Sequence, residues 1–464
     1  MTSTDLGLLD PLGQGTRSDE LLGDPAWLQA MVDVEVALIR ALISAGLIPA
    51  EHESVVVALS NAGDLDVAAI AAAGRGGGNP VIPLVAALGA KAESVAPGSS
   101  DSVHVGATSQ DILDTAAMLI ARRSIVEIGA QLRTLCGSLV GLAGAHRATP
   151  MAGRTLGQHA APTSFGLVVA GWLDGILGAL ARLEAVADGL PFSFGGSVGT
   201  LGVLTDVASA RRPDTGPEHS VAAVLDDLSA RLGLRNPTSP WHTNRLPVVE
   251  LAAALGAVVG ALGTLAVDVG VLSRTEIAEL SERLGEGKGS SSAMPHKRNP
   301  VTSVLLVAAS HRAPGLVATL FAAQAAEDQR PSGAWHAEWE ALRLLERLAV
   351  DAATVAASLG RRLEIDSERM RSNLELTDGL IYSERVSTIL AESIGKKAAF
   401  DLVAASSREA VETHRPLRVV VSASLASEDD ALRARVWAAF DPDSGLGASG
   451  LLIDRVLAMA KEIL

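Results

Sequence analysis

Residues Ile112 to Ala145 read ILDTAAMLIARRSIVEIGAQLRTLCGSLVGLAGA. Apolar side chains recur here at helical spacing, without proline, over more than thirty residues, which is too long for a strand and suits one helix of a large bundle. Similar patterns occupy Ala161 to Leu190, Pro247 to Leu284 and Val301 to Gln324, and no alternating strand run of convincing length interrupts them. Upstream, Asp24 to Gly89 reads as short helices stopped at Gly46, Pro49 and the cluster GRGGGNP ending at Pro80, and Lys91 to Asp111 reads as loop. Beyond Leu359 the period is helical again. The expectation is an all-α fold of three helical domains: residues 1–110, a central up-and-down bundle over 111–358 that carries the oligomer core, and residues 359–464.

Composition bounds the function. The 464 residues are 48% hydrophobic but only 3% aromatic, so the interior is built from Ala, Val and Leu, which favours closely packed helices. A net charge of −15 without a basic stripe argues against a nucleic-acid surface. The single cysteine, Cys136, excludes an internal disulfide framework and reads as a small buried hydrophobe. The opening MTSTDLGLLD has neither a basic start nor an apolar run, so the expected location is cytoplasmic. Leu251 to Val267 is apolar enough to suggest a membrane span, but it is slightly short, rich in Ala and Gly, and lacks a basic flank; it reads as a buried bundle helix.

The chemistry lies in the breaks between helices. Gly289 to Pro300, GSSSAMPHKRNP, follows a charged run through Glu282, Arg283, Glu286 and Lys288 and combines three serines with Lys297 and Arg298. A loop of this composition offers a hydroxyl to exchange a proton and cations to hold a carboxylate. It resembles the signature loop of the fumarase/aspartase superfamily, matched at Met294, Pro295, Lys297 and Asn299. That resemblance implies that Ser291 is the catalytic base, with Ser290 standing where glycine is usual. It also implies that Lys297 and Asn299 bind substrate, and that the chain forms a homotetramer whose active sites combine segments from three subunits.

Two further segments match the same family. In His104 to Asp111, HVGATSQD, a glycine and hydroxyls precede the long helix; Ser109 and Asp111 read as caps, and the free amides of a helix start suit an anion. The resemblance implies carboxylate binding by Thr108 and Ser109 and a catalytic part for His104. Met151 to Gly166, MAGRTLGQHAAPTSFG, reads as a helix connection. By resemblance it supplies Thr155 and Gln158 as substrate ligands, but Leu156 stands where many members carry histidine, leaving His159, the nearest imidazole, as a catalytic candidate in a secondary role beside His104. That loss, with the phrases PWHT (Pro240–Thr243), WHAEW (Trp335–Trp339) and PFSFGGSVGTLG (Pro191–Gly202), resembles the 3-carboxy-cis,cis-muconate cycloisomerase branch. Asn244 and Arg245, which follow PWHT, either reach the substrate or cap the next helix.

No HExxH pair, cysteine cluster or nucleotide fingerprint is present, so neither metal nor cofactor is expected. The expected partner is a small polycarboxylate, with no nucleic acid and no membrane. The favoured activity is cycloisomerisation of carboxymuconate. The alternatives are a fumarate-forming lyase that releases an amine, purine or nitrite, and a structural protein that has lost activity.

Overall fold

A computed structural model describes residues 7–285, 289, 293–294, 296–426 and 428–464. Its principal helices are α1 (Asp24–Ser44), α2 (Val67–Gly77), α3 (Val81–Val95), α4 (Ser109–Ala145), α5 (Phe165–Gly189), α6 (Leu246–Leu272), α7 (Val301–Ala322), α8 (Ala334–Gly360), α9 (Ser383–Ile394) and α10 (Lys396–Thr413). Helices dominate, as the period of the sequence predicts. The chain divides into two compact units. One gathers residues up to Gln131 with Ala179–Gly260 and Ala308–Val355; the other gathers Leu132–Gly178, Ala261–Val307 and Ala356–Leu464. Helices α4 to α8 each give one stretch to either unit.

Small side chains let these helices approach closely. On α6, Leu251, Ala252, Leu255, Val258 and Val259 are all buried, and a Cβ on Gly256 would stand 2.9 Å from Val317 Cγ2 of α7. By length and composition four helices are apolar enough to cross a membrane: α4, α5, α6 and α7. The most apolar windows of α4, α5 and α6 are 44%, 56% and 50% buried within the chain, whereas that of α7 is only 22% buried. Cys136 is buried and unpaired, and burial pushes its thiol up to about 12.

Two departures from the sequence reading concern strands. Residues expected to connect helices form an antiparallel hairpin of β1 (Pro150–Thr155) and β2 (Gln158–Ser164), so the following helix starts at Phe165 rather than Ala161. The helix expected to reach Leu284 ends at Leu272, and β3 (Leu280–Glu282) then pairs with β4 (Leu363–Ile365). In the second unit α9 and α10 pack a separate core that includes Val386, Leu390, Val403, Leu417 and Phe440.

Candidate active site

In the first unit the site is organised by a buried carboxylate. Thr108 precedes α4, and Asp111 in the first turn accepts its amide at 3.0 Å, half of a capping box. Asp111 also accepts the amides of Gly195 and Gly196, each at 2.9 Å, the Ser193 hydroxyl at 3.4 Å and His242 Nε2 at 2.6 Å. One side chain thereby ties the segments around Thr108, Ser193 and His242 to the start of α4. Glycine is required at 195, where a Cβ would lie 2.8 Å from Pro240 Cβ. The tryptophans of the neighbouring phrases act as struts: Trp241 Nε1 donates to Phe192 O at 2.9 Å and Trp335 Nε1 to Asp114 Oδ1 at 2.9 Å.

This frame presents a cation. Arg330 Nη2 donates to Thr108 Oγ1 at 2.8 Å and to Ser197 O at 3.2 Å, while its Nε reaches Gln110 Oε1 at 3.3 Å. Thr108 and Ser109 are half-buried beside it, so hydroxyl, helix start and guanidinium together make an anion cradle. Sequence reasoning missed Arg330; the only available signal was an arginine in a Pro/Ser/Gly turn just before WHAEW.

His104 flanks the cradle with left-handed backbone, φ 62°, a conformation that costs a non-glycine residue about 1–3 kcal/mol. Its Nδ1 lies 2.6 Å from Oε1 of the fully buried Glu35. Burial opposes the imidazolium, but the hydrogen bond and charge of Glu35, backed by Asp111, outweigh it, and the His104 pKa is raised.

Of the two readings offered for Arg245, the backbone fits the helix start, its carbonyl accepting the Val248 and Val249 amides at 3.0 and 3.1 Å, while the side chain turns inward. All five of its donors are committed: Nη1 to Asp114 at 2.7 Å and Trp241 O at 3.4 Å, Nη2 to Asp114 at 3.1 Å and Glu338 at 2.6 Å, and Nε to Glu338 at 3.0 Å. At 2% exposure it is a buried structural ion, not a substrate ligand. Its charge also explains how two acids tolerate burial there: desolvation raises the Glu338 pKa and Arg245 opposes the rise. Asn244 is exposed, and its Oδ1 accepts the Leu246 amide at 3.4 Å, a weak cap for α6.

The second unit holds the remaining candidates. The β1–β2 hairpin turns through Leu156 and Gly157 at φ 52° and 79°, the left-handed pair of a type I′ turn. Thr155, Leu156, Gly157 and Gln158 are exposed at its tip, Leu156 completely so. Below the tip Arg154 makes a bidentate ion pair with the buried Glu279 at 2.6 and 3.0 Å, and Asn373 Nδ2 donates to the same carboxylate at 2.7 Å. His159 sits opposite Arg154 in the register. Burial, then the Arg154 charge, lowers its pKa against the pull of Glu279, and its Nδ1 is buried without a partner among the described residues.

Ser290, Ser291 and Ser292 lie outside the described residues. The ends of their loop are fixed: Asn299 donates both its amide, at 2.9 Å, and its side-chain Nδ2, at 3.2 Å, to Gly289 O. Glu282 accepts the amides of Thr302 at 3.0 Å and Ser303 at 2.8 Å, anchoring the start of α7. Lys297 is exposed, has no ion pair among the described residues, and lines a cavity of ≈ 1110 Å³ with Arg274, Ser281, Arg298 and Asp366. Among the described residues no cluster of three or more His, Cys, Asp or Glu side chains is suited to hold a metal.

The structure thus gathers His104, Thr108 and Ser109 with Arg330 in one unit, and in the other places Thr155, Gln158 and His159 on the hairpin and Lys297 and Asn299 on the loop.

A protein-family model described as "Lyase" matches residues 15–315. The chain is 42% identical to a nitrosuccinate lyase of Streptomyces davaonensis, over 98% of this chain and 94% of the relative. It is also 42% identical to a 3-carboxy-cis,cis-muconate cycloisomerase of Pseudomonas aeruginosa, over 94% and 93% respectively. The crystal structure of 3-carboxy-cis,cis-muconate lactonizing enzyme from Pseudomonas putida superposes with a TM-score of 0.87 at 36% identity, covering 98% of this chain and 99% of that one. With its all-α fold, its anion cradle and these relatives, the chain belongs to the lyase family of the fumarase/aspartase superfamily and is an enzyme of that superfamily.

Proposed function

We propose that the enzyme cycloisomerises 3-carboxy-cis,cis-muconate to 4-carboxymuconolactone, a step of protocatechuate catabolism. One substrate carboxylate adds through oxygen to a carbon of the conjugated system, and a proton joins the carbon next to another carboxylate. The reverse reaction takes that proton and expels the carboxylate with the electron pair of the broken C–O bond. Either way charge accumulates on carboxylate oxygens, and fixed donors around them lower the barrier. In this reading Thr108, Ser109 and Arg330 hold one carboxylate and Lys297 receives the developing charge. Thr155 and Gln158 contact the substrate, Asn299 keeps the loop closed on Gly289, and Ser291 exchanges the proton. His104 orients a second carboxylate, and His159 supports the hairpin.

The observation that carries this reading is Leu156 at the hairpin tip. Leucine donates no proton, so the hairpin serves reactions whose departing group is already a stable anion, as an internal carboxylate is. Nitrite shares that property, and the identity to a nitrosuccinate lyase favours a second reading in which nitrosuccinate loses nitrite to give fumarate. Release of an amine or purine fits less well.

We further infer a homotetramer that completes each site from more than one copy. The weakly buried apolar face of α7 supports this, because such a surface is covered in a stable soluble assembly.

The test is to offer the purified protein carboxymuconate, nitrosuccinate, adenylosuccinate and argininosuccinate and follow the conjugated chromophore. Turnover of carboxymuconate alone is expected. Turnover of a succinate without the muconate overturns the assignment and, if the succinate is nitrosuccinate, selects the second reading.

A further inference from the structure

We propose that Glu327 is a positioning residue of the anion cradle: by closing the loop between α7 and α8 into a turn, it holds the Arg330 guanidinium against Thr108. The inference rests on the reading that the cradle binds a substrate carboxylate, and it adds what aims the arginine. A loop arginine binds an anion well only if the loop is already shaped, because ordering backbone and a long side chain at the moment of binding costs conformational entropy.

Four features shape this loop. Its entry is tied down where Ala325 pairs with Asn244 in an isolated antiparallel bridge. Asp328 turns the chain with left-handed backbone, φ 54°, a conformation that aspartate tolerates better than most residues. Pro331, which is buried, disfavours helical backbone at Arg330 before it. Glu327 closes the turn: its Oε1 accepts both the Ser332 amide at 2.7 Å and the Ser332 hydroxyl at 2.6 Å. Residues 328–331 are thereby held between two joined ends, and from among them Arg330 reaches Thr108, Gln110 and the Ser197 carbonyl.

The closing contact is also favoured electrostatically. Ser332 lies just before α8, whose first turn forms with the Ala337 amide on Gly333 O at 3.0 Å, so the carboxylate sits at the positive end of a long helix. The Ser332 hydroxyl, and then its amide, hold the Glu327 carboxyl below the usual carboxylate range. Among the described residues the Glu327 side chain bonds only to Ser332, so it acts on the arginine through the backbone that it fixes. The neighbouring Asp328 is exposed, and its side chain has no partner among the described residues, which makes it a control of equal charge.

The test is steady-state kinetics on the full-length enzyme with whichever of the acids offered above it turns over, all of them polycarboxylates. Glu327→Ala should raise KM about fivefold, the scale of a lost hydrogen bond, and change kcat by less than about twofold. Glu327→Gln, which keeps the acceptor, and Asp328→Asn should both stay within about twofold of the wild type. In the Arg330→Ala background, Glu327→Ala should raise KM by less than about twofold more, because the group it aims is gone. If Arg330→Ala raises KM and Glu327→Ala does not, the inference is overturned and the cradle stands. An equal increment from Glu327→Ala with and without Arg330 gives the residue a general structural role and also overturns it. A KM indifferent to Arg330→Ala removes the cradle itself, and the inference with it.

Discussion

The two units hold their candidate residues in opposite ways. Around Asp111 and Arg245 nearly every polar atom is buried and committed, and each carboxylate meets several donors before any substrate arrives. The side chains of Thr155 and Gln158 at the hairpin tip and of Lys297 on the loop are exposed and have no hydrogen-bond partner among the described residues, although the bases of these segments are pinned by Glu279, Glu282 and Gly289. The first arrangement fixes geometry; the second, in the proposed function, presents donors to a substrate. Substitutions in the two regions should therefore separate stability from catalysis.

The largest effect is expected in the first region. Asp111→Ala strands the buried amides of Gly195 and Gly196 and the His242 ring, and Arg245→Ala leaves Asp114 and Glu338 facing each other without a cation. Each should cost about 3–5 kcal/mol in urea unfolding. A loss below about 1 kcal/mol for either would show that the buried network is not what holds this unit together.

Lys297→Ala inverts the pattern. It should change stability by less than about 0.5 kcal/mol and lower kcat/KM by about a hundredfold or more. Arg330→Ala falls between the two, with about a tenfold to hundredfold loss in kcat/KM, expressed mainly in KM, and a stability loss of about 1 kcal/mol. If Arg330→Ala affected only stability, the arginine would belong with the committed network rather than with the cradle.

Much of this contrast was hidden in the sequence, for physical reasons. The long helices were legible because an unbroken apolar period of more than thirty residues has one reading. The hairpin was not, because its alternation is interrupted at the register shift between Ala152 and Arg154 and its turn is Leu-Gly rather than the common Asn-Gly. Thr108 and Ser109 were singled out from their place before a helix, a local signal. Arg330 and the commitment of Arg245 depend on partners more than ninety residues away in the chain, Thr108 and Glu338 among them. Asp111 was read as a helix cap, which it is; its hold on Gly195, Gly196 and His242 is a tertiary fact.

The Glu35–His104 pair gives a pH-dependent probe of the first region. Because the folded pKa of His104 is raised, the stability it contributes is fully present below the unfolded histidine value and is lost as pH rises through the folded value. If the imidazolium orients a carboxylate, KM should climb over the same interval. Glu35→Gln removes the raising influence, so the climb in KM should begin at lower pH while kcat at low pH changes little. An unshifted profile would detach His104 from substrate binding.

The smallest effect is the most discriminating for the second region. Leu156 is fully exposed and holds a left-handed backbone, so neither packing nor conformation within this chain explains a leucine there. Leu156→Asn creates the Asn-Gly pair that type I′ turns prefer, and it should stabilise the fold by about 0.5–1 kcal/mol, recovering part of the cost of the left-handed residue. If the apolar tip faces the substrate, the same change should lower kcat/KM about threefold to tenfold, the scale of one lost hydrophobic contact. A more stable enzyme with reduced turnover would mean that the strain is kept for catalysis. A more stable enzyme with unchanged turnover would remove the tip from the site, and with it the argument that the departing group leaves without a proton from this hairpin.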